Sequence, residues 1–218
     1  MIKAVGIGKA YYKKTVIDNF SIEIEQGEFI AITGESGTGK TTLLNLLSLL
    51  EKPDSGDVIV DGHKNPNRKQ TMLLQRNLLA YLFQNYALIE NETVEKNLEI
   101  ALSYRKNIDK NASMKNALAR VDLEGFLKRK IFELSGGEQQ RVALARVYLK
   151  ECAYVFADEP TGNLDKRNRN IVFDILKDLN HMGKTVIYVT HDEDLAQRSS
   201  RRINLSMPKK TPTSIGVE

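Results

Sequence analysis

The chain has 218 residues, 41% hydrophobic and 28% charged, which is enough apolar material for a substantial core and excludes wholesale disorder. Its 32 basic and 28 acidic residues leave a net charge of +4 spread along the sequence, a solvated mixed surface rather than a concentrated nucleic-acid groove. No segment approaches the roughly 18 apolar residues of a membrane span, the richest being LLNLLSLL at Leu43–Leu50, and the N-terminus lacks an apolar signal core. The single cysteine, Cys152, fits a reducing compartment. A cytosolic chain is expected, one that reaches any membrane only through another protein.

In chain order, FIAIT (Phe29–Thr33) reads as a strand and TTLLNLLSLL (Thr41–Leu50) as the helix after it. DVIV (Asp57–Val60) is a strand ending in the turn pair Asp61-Gly62, and YLF (Tyr81–Phe83) is another short strand. From about Asn85 to Lys130 the character changes. ETVEKNLEIALSY and SMKNALARV both have helical spacing, with no convincing strand between them. AYVFA (Ala153–Ala157) and TVIYVT (Thr185–Thr190) are near-continuous apolar runs, as strands covered on both faces require. Between them Asn168–Met182 carries Ile171, Ile175 and Leu179 on one helical side. This alternation predicts an α/β fold with a mainly parallel sheet and right-handed crossovers. We expect one domain over residues 1–207, with a helical subdomain at about 85–150 within it. Residues 208–218, polar and without periodicity, are expected to form a flexible tail.

GESGTGKTT (Gly34–Thr42) satisfies G-x-x-x-x-G-K-[ST] through Gly34, Gly39, Lys40 and Thr41, between a predicted strand and a predicted helix. Phosphate binding explains these residue types. Glycines let the backbone curl so that successive N–H groups point inward, beside a helix N-terminus. Lys40 supplies a compact charge for the β- and γ-phosphates, and the Thr41 hydroxyl is a ligand for Mg²⁺. Ser36, Gly37, Thr38 and Thr42 complete the loop. ATP with Mg²⁺ is the expected ligand. AYVFADEP then delivers Asp158 and Glu159 to the carboxyl end of a strand, where open α/β sheets bind ligands. Asp158 is expected to hold Mg²⁺ through its water shell, and Glu159 to polarise the water that attacks the γ-phosphate. Alone, such an acidic pair is more often a cap or turn; beside a phosphate loop it is the expected partner.

A second glycine turn opens LSGGEQQRVALAR (Leu134–Arg146). Ser135 and Glu138 form S-x-x-E, a capping box. Capping leaves Gly136 and Gly137 unexplained, because each lowers helix propensity by about 1 kcal/mol relative to alanine. Glycines fit there if another group must approach the backbone closely.

This stretch resembles the signature sequence of ABC transporter ATP-binding subunits, and with GESGTGKTT and FADEP the likeness extends over about Met1–Leu205. The resemblance implies the ABC ATPase fold, a P-loop NTPase with an N-terminal antiparallel β element and an inserted helical subdomain. It further implies a homodimer paired head to tail, each ATP lying between the phosphate loop of one chain and the signature of the other. Ser135 and Gly137 would then contact the γ-phosphate held by the partner, with Gly136 and Glu138 in the same turn. By the same resemblance Gln84 in YLFQNY is the residue that senses Mg²⁺ and links to the membrane subunit. Asp165 in GNLDK matches the loop that crosses the dimer interface, and His191 in YVTHDED the switch histidine that hydrogen-bonds the γ-phosphate. Tyr11 in KAYYKK has the spacing of the aromatic that stacks on adenine, with Tyr12 the alternative.

The implied activity is ATP hydrolysis, carried by Glu159, His191 and Lys40, that opens and closes the dimer and moves a separate transmembrane permease. The chain would sit on the inner face of the cell membrane through that permease, with no nucleic acid bound. FQNYALIENETVEKNL and ADEPTGNLD are most similar to the branch serving lipoprotein release, macrolide efflux, bacteriocin export and antimicrobial-peptide resistance. The rival reading is a soluble ABC ATPase acting on nucleic acid or ribosomes. Such proteins fuse two cassettes, insert coiled coils or add zinc modules, whereas this chain shows one cassette, one cysteine and no heptad arm.

Overall fold

The computed structural model describes residues 1–12, 14–162 and 164–206; the tail expected at 208–218 lies outside them. Along the chain run β1 (Ile2–Tyr11), β2 (Lys14–Ile24), β3 (Phe29–Thr33), α1 (Lys40–Leu47), β4 (Ser55–Val60) and β5 (His63–Lys64). They are followed by α2 (Arg68–Asn77), β6 (Leu79–Leu82), α3 (Val94–Glu99), α4 (Lys110–Ala119) and α5 (Gly136–Leu149). The last elements are β7 (Tyr154–Asp158), α6 (Lys166–His181), β8 (Thr185–Val189), α7 (Glu193–Gln197) and β9 (Arg201–Asn204).

Alternating side chains build an antiparallel sheet of order β2-β1-β4-β5. β2 buries Ile17, Ile22 and Ile24 and turns Asp18, Ser21 and Glu23 outward; β1 buries Ile2, Ala4 and Ile7 on the same core. Asp61 and Gly62, with φ of 49° and 79°, make the tight turn that pairs β4 with β5, so the turn read from sequence is a hairpin.

The second sheet is wholly parallel, in the order β6-β7-β8-β3-β9. Every residue of β3, β7 and β8 is buried, because helices cover both faces. One face sends Ile30, Ile32, Tyr154, Phe156, Ile187 and Val189 into a core shared with α1 and the antiparallel sheet. The other sends Phe29, Ala31, Val155, Ala157, Val186 and Tyr188 into a core shared with α3, α4, α5 and α6. This two-sided sheet with its antiparallel N-terminal companion is the expected α/β fold. Between β6 and β7 the described residues hold helices and short 3-10 turns, with only an isolated bridge between Thr93 and Lys130.

Among the element ends that differ from the sequence reading, those of α1 and β6 border the site. α1 stops at Leu47 rather than Leu50, because Leu49 adopts a φ of 61° and the N–H groups of Leu50 and Glu51 both fold back to the Asn45 carbonyl. β6 runs from Leu79 and releases Phe83, which is exposed. Among the described residues no helix is long and apolar enough to cross a membrane.

Phe173 of α6 is fully buried and lies edge-on to Phe29 and Tyr188, at centroid distances of 5.6 and 6.1 Å. Phe173→Ala should therefore cost about 3–5 kcal/mol in denaturant unfolding. A loss below about 1 kcal/mol would mean that α6 does not depend on this contact.

Candidate functional site

Strand register levels the groups of the site. β3 and β8 pair Ile32 with Val189, and β7 pairs Asp158 with the same Val189. Gly34, Glu159 and His191 therefore emerge side by side from the carboxyl ends of adjacent strands. β6 pairs Leu82 with Ala157, which brings the exposed Gln84 to that edge as well.

The loop from Gly34 to Gly39 leaves β3 and curls into α1. Gly39 has a φ of 95°, and a Cβ there would stand 2.6 Å from Val16 Cγ1, so only glycine lets the loop lie against β2. Lys40 is nearly buried and donates from Nζ to the carbonyls of Gly34 at 3.0 Å and Glu35 at 2.9 Å. The buried Thr38 hydroxyl donates to the Glu35 carbonyl at 2.9 Å. These bonds keep the loop curled, with Ser36 and Gly37 exposed on its rim and Thr42 half-buried in the first turn of α1. That helix has no side-chain cap, so its first N–H groups remain available to an anion in the field of the helix N-terminus.

Thr41 Oγ1 donates to Asp158 Oδ1 at 3.0 Å and ties the loop to the end of β7. A hydroxyl and a carboxylate meeting at one point are hard oxygen donors, the kind Mg²⁺ takes together with phosphate and water. The residues present fit that ion. Burial pushes the Asp158 carboxyl above its ordinary pKa; the Thr41 hydrogen bond opposes this and the neighbouring Glu159 charge adds to it. A cation at this point would favour the carboxylate form.

Glu159 Oε1 lies 2.7 Å from His191 Nε2. Glu159 holds a φ of 46°, sparsely populated for a residue with a side chain, and its carbonyl accepts from the Gly162 N–H at 3.1 Å. Both side chains line a cleft of about 310 Å³ with Thr161, Gly162, Arg169 and Asp192. Arg169 pairs with Asp192 across that cleft, an ion pair the sequence reading passed over.

Ser135 caps α5 as read. The Glu138 N–H donates to Ser135 Oγ at 3.4 Å, while Ser135 N–H and Oγ–H both donate to Glu138 Oε2 at 2.8 Å. The backbone bond from Ser135 chiefly holds the Glu138 carboxyl below its usual range. The two glycines then part company. A Cβ on Gly137 would come 2.7 Å from the side chain of Asn168 on α6, which is held by Arg141 at 2.9 Å and by Asp165. The close approach anticipated there is thus made by this chain itself. A Cβ on Gly136 would meet only the Tyr86 hydroxyl, at 3.7 Å, so its bareness has no such internal cause. Asp165 caps α6, accepting from the N–H groups of Arg167 at 2.9 Å and Asn168 at 3.0 Å.

Tyr11 ends β1 with its ring 39% exposed and its hydroxyl donating to Glu51 Oε2. The Thr42 side chain also faces that hydroxyl. Tyr12 is fully exposed at a φ of 56°.

Sequence reasoning also missed Arg146. From the last turn of α5 its Nη1 donates to the Ala87 carbonyl at 2.6 Å and its Nη2 to that of Tyr86. Those two residues hold φ values of 47° and 65°, so the guanidinium pins a strained segment just beyond Gln84. A basic residue inside the apolar run VALARVYL is the signal that could have found it.

The ABC transporter family matches this chain at residues 17–162. The uncharacterized ABC transporter ATP-binding protein MJ1508 of Methanocaldococcus jannaschii is 38% identical, over 94% of this chain and 95% of its own. The lipoprotein-releasing system ATP-binding protein LolD of Aquifex aeolicus is 37% identical, over 94% and 93%. The macrolide export ATP-binding/permease protein MacB of Bdellovibrio bacteriovorus is 36% identical, and the match spans 32% of that longer protein. Among solved structures, the dimeric structure of the ABC transporter cassette MJ0796 has a TM-score of 0.86 at 34% identity, covering 94% of each chain. A dimeric post-hydrolysis state of the same cassette, bound to ADP and Pi, has a TM-score of 0.87 at 33% identity. Likeness of this depth along nearly the whole chain settles its kinship: it belongs to the ABC transporter family, as an ATP-binding and ATP-hydrolysing subunit.

Proposed function

We propose that two copies of this chain pair head to tail on ATP, and that hydrolysis in the pair drives a separate membrane permease exporting a bacteriocin, an antimicrobial peptide or a related hydrophobic compound. One observation carries the pairing. α1, which opens on the phosphate loop, and α5, which opens on the signature turn, pack into cores on opposite faces of the parallel sheet. The sheet thus separates one chain's signature turn from its own phosphate loop, and a second copy supplies the missing half. The dimeric cassettes among its solved relatives favour the same arrangement.

In this reading Lys40 and the backbone N–H groups of residues 34–42 hold the phosphates, with the Tyr11 ring against the adenine. Thr41, Asp158 and Gln84 would hold Mg²⁺, whose charge would offset that of the phosphates. Glu159 takes up the water that attacks the γ-phosphate, and its strained backbone aims the carboxylate into the cleft. His191, 2.7 Å from that carboxylate, orients it and reaches the γ-phosphate. Ser135 must turn its hydroxyl from Glu138 to donate to the partner's phosphate, and the Gly136 and Gly137 N–H groups add the field of the helix N-terminus. Asp165 lies at the contact between the two chains.

The permease is assigned to the neighbourhood of Gln84 and residues 85–97, supported by the exposed apolar side chains of Phe83 and Ile89. The pair would work on the inner face of the membrane without nucleic acid. Relatives named for lipoprotein release and macrolide export support a hydrophobic cargo.

Two variants test the site. Glu159→Gln should bind ATP, accumulate as a dimer in light scattering and hydrolyse at least about 100-fold more slowly; rapid turnover by this variant would remove Glu159 from its role. Ser135→Arg should leave ATP binding by the monomer nearly intact and abolish ATP-driven dimerisation. Normal dimerisation of that protein on ATP would overturn the head-to-tail assignment.

A further inference from the structure

Beyond the end of α1, four consecutive residues of β1 are gripped by the segment from Glu51 to Asp54. The Gly8 carbonyl accepts from the Asp54 N–H at 2.9 Å, and the Ala10 N–H donates to Asp54 Oδ2 at 2.9 Å. Lys9, its side chain only 13% exposed, bridges Glu51 Oε1 at 3.2 Å and Asp54 Oδ1 at 2.9 Å and also donates to the Lys52 carbonyl at 3.0 Å. Tyr11 completes the row through its hydroxyl bond to Glu51. Glu51 is itself anchored, because its N–H donates to the Asn45 carbonyl within α1 at 3.2 Å.

The first three grips suffice to hold β1, which is also laddered to β2 and β4 on either side. The fourth adds little to the fold, since a bond between partly exposed groups on a surface contributes little stability. Its consequence is orientation. Burial and the Glu51 bond push the Tyr11 phenol pKa upward, against Thr42 and Lys9, and the hydroxyl's bond to Glu51 tethers the ring. A ring tethered before binding loses less freedom when a base settles on it.

We propose that Glu51 is the positioning residue for the nucleotide base: it holds the Tyr11 ring in the orientation that receives adenine, and Lys9 and Asp54 fix Glu51 for that task. The proposal rests on the reading of Tyr11 as the stacking aromatic.

Calorimetry on the full chain, with Mg-ATP and with Mg-tripolyphosphate as a ligand lacking the base, separates the two. Glu51→Ala and Tyr11→Phe should each weaken ATP binding about three- to tenfold and leave tripolyphosphate binding within about twofold of wild type. Their combination should fall well short of the sum of the two, because both remove the Tyr11–Glu51 bond. Tyr11→Ala should lose more ATP affinity than any of these. If Tyr11→Ala binds ATP like wild type, the stacking assignment fails and the proposal falls with it. If Tyr11→Ala weakens ATP binding while Tyr11→Phe and Glu51→Ala do not, stacking stands and the positioning role is wrong. Equal weakening of ATP and tripolyphosphate by Glu51→Ala would also overturn it, by showing that Glu51 acts on the phosphate loop.

Discussion

The hydrogen-bond register between β3, β7 and β8 sets where each polar group of the site emerges. With Ile32, Val189 and Asp158 level, the phosphate loop, the acidic pair and His191 leave the sheet at one height and on adjacent strands. Because side chains alternate with period two, a slip of one residue would carry Asp158 to the opposite face of the sheet and drive Phe156 into the core now filled by Val155 and Ala157. Burial on both faces forbids the slip, since each face of β7 is packed into its own core. The apolar runs that look like mere core are therefore what aligns the catalytic edge. The Thr41–Asp158 bond then closes the arrangement by joining α1 to β7 across the strand between them.

That logic also explains which parts of the fold are legible in the sequence. Strands buried on both faces announce themselves as unbroken apolar runs, and FIAIT, AYVFA and TVIYVT do so. α2 is quiet because only Leu74 is buried among its polar residues, and β9 because none of its four residues is buried. β1 is interrupted by register shifts near Gly6 and Lys9, which break the alternation that would have marked it, so its place came from family resemblance alone. The site was legible where chemistry fixes the residue type, as at Lys40, Thr41 and Asp158. It was not legible where the partner is a backbone carbonyl. Arg146 finds its acceptors at Tyr86 and Ala87, and nothing in the identity of those residues foretells it.

The signature turn shows how one short motif can meet several demands. Ser135 and Glu138 satisfy each other as a capping box, so the helix start needs no ligand to be stable. Gly137 is explained inside the chain, by the Asn168 side chain that Arg141 and Asp165 hold against it. This contact joins the signature helix to the cap of α6 and sets Asp165 beside the signature turn. Gly136 is left as the glycine without an internal reason.

Arg146 gives the same helix a second attachment. Tyr86 and Ala87 follow Gln84 closely, and both hold left-handed backbone that a free loop would abandon. The guanidinium keeps them there from the far end of α5, while the Tyr86 hydroxyl lies nearest to Gly136 at its start. Tyr86 therefore meets the helix twice, its carbonyl at the Arg146 guanidinium and its hydroxyl near Gly136. The segment just beyond Gln84 is thus tied to the signature helix by two hydrogen bonds. The tie between the segment beyond Gln84 and the signature helix is made of backbone carbonyls that no motif records.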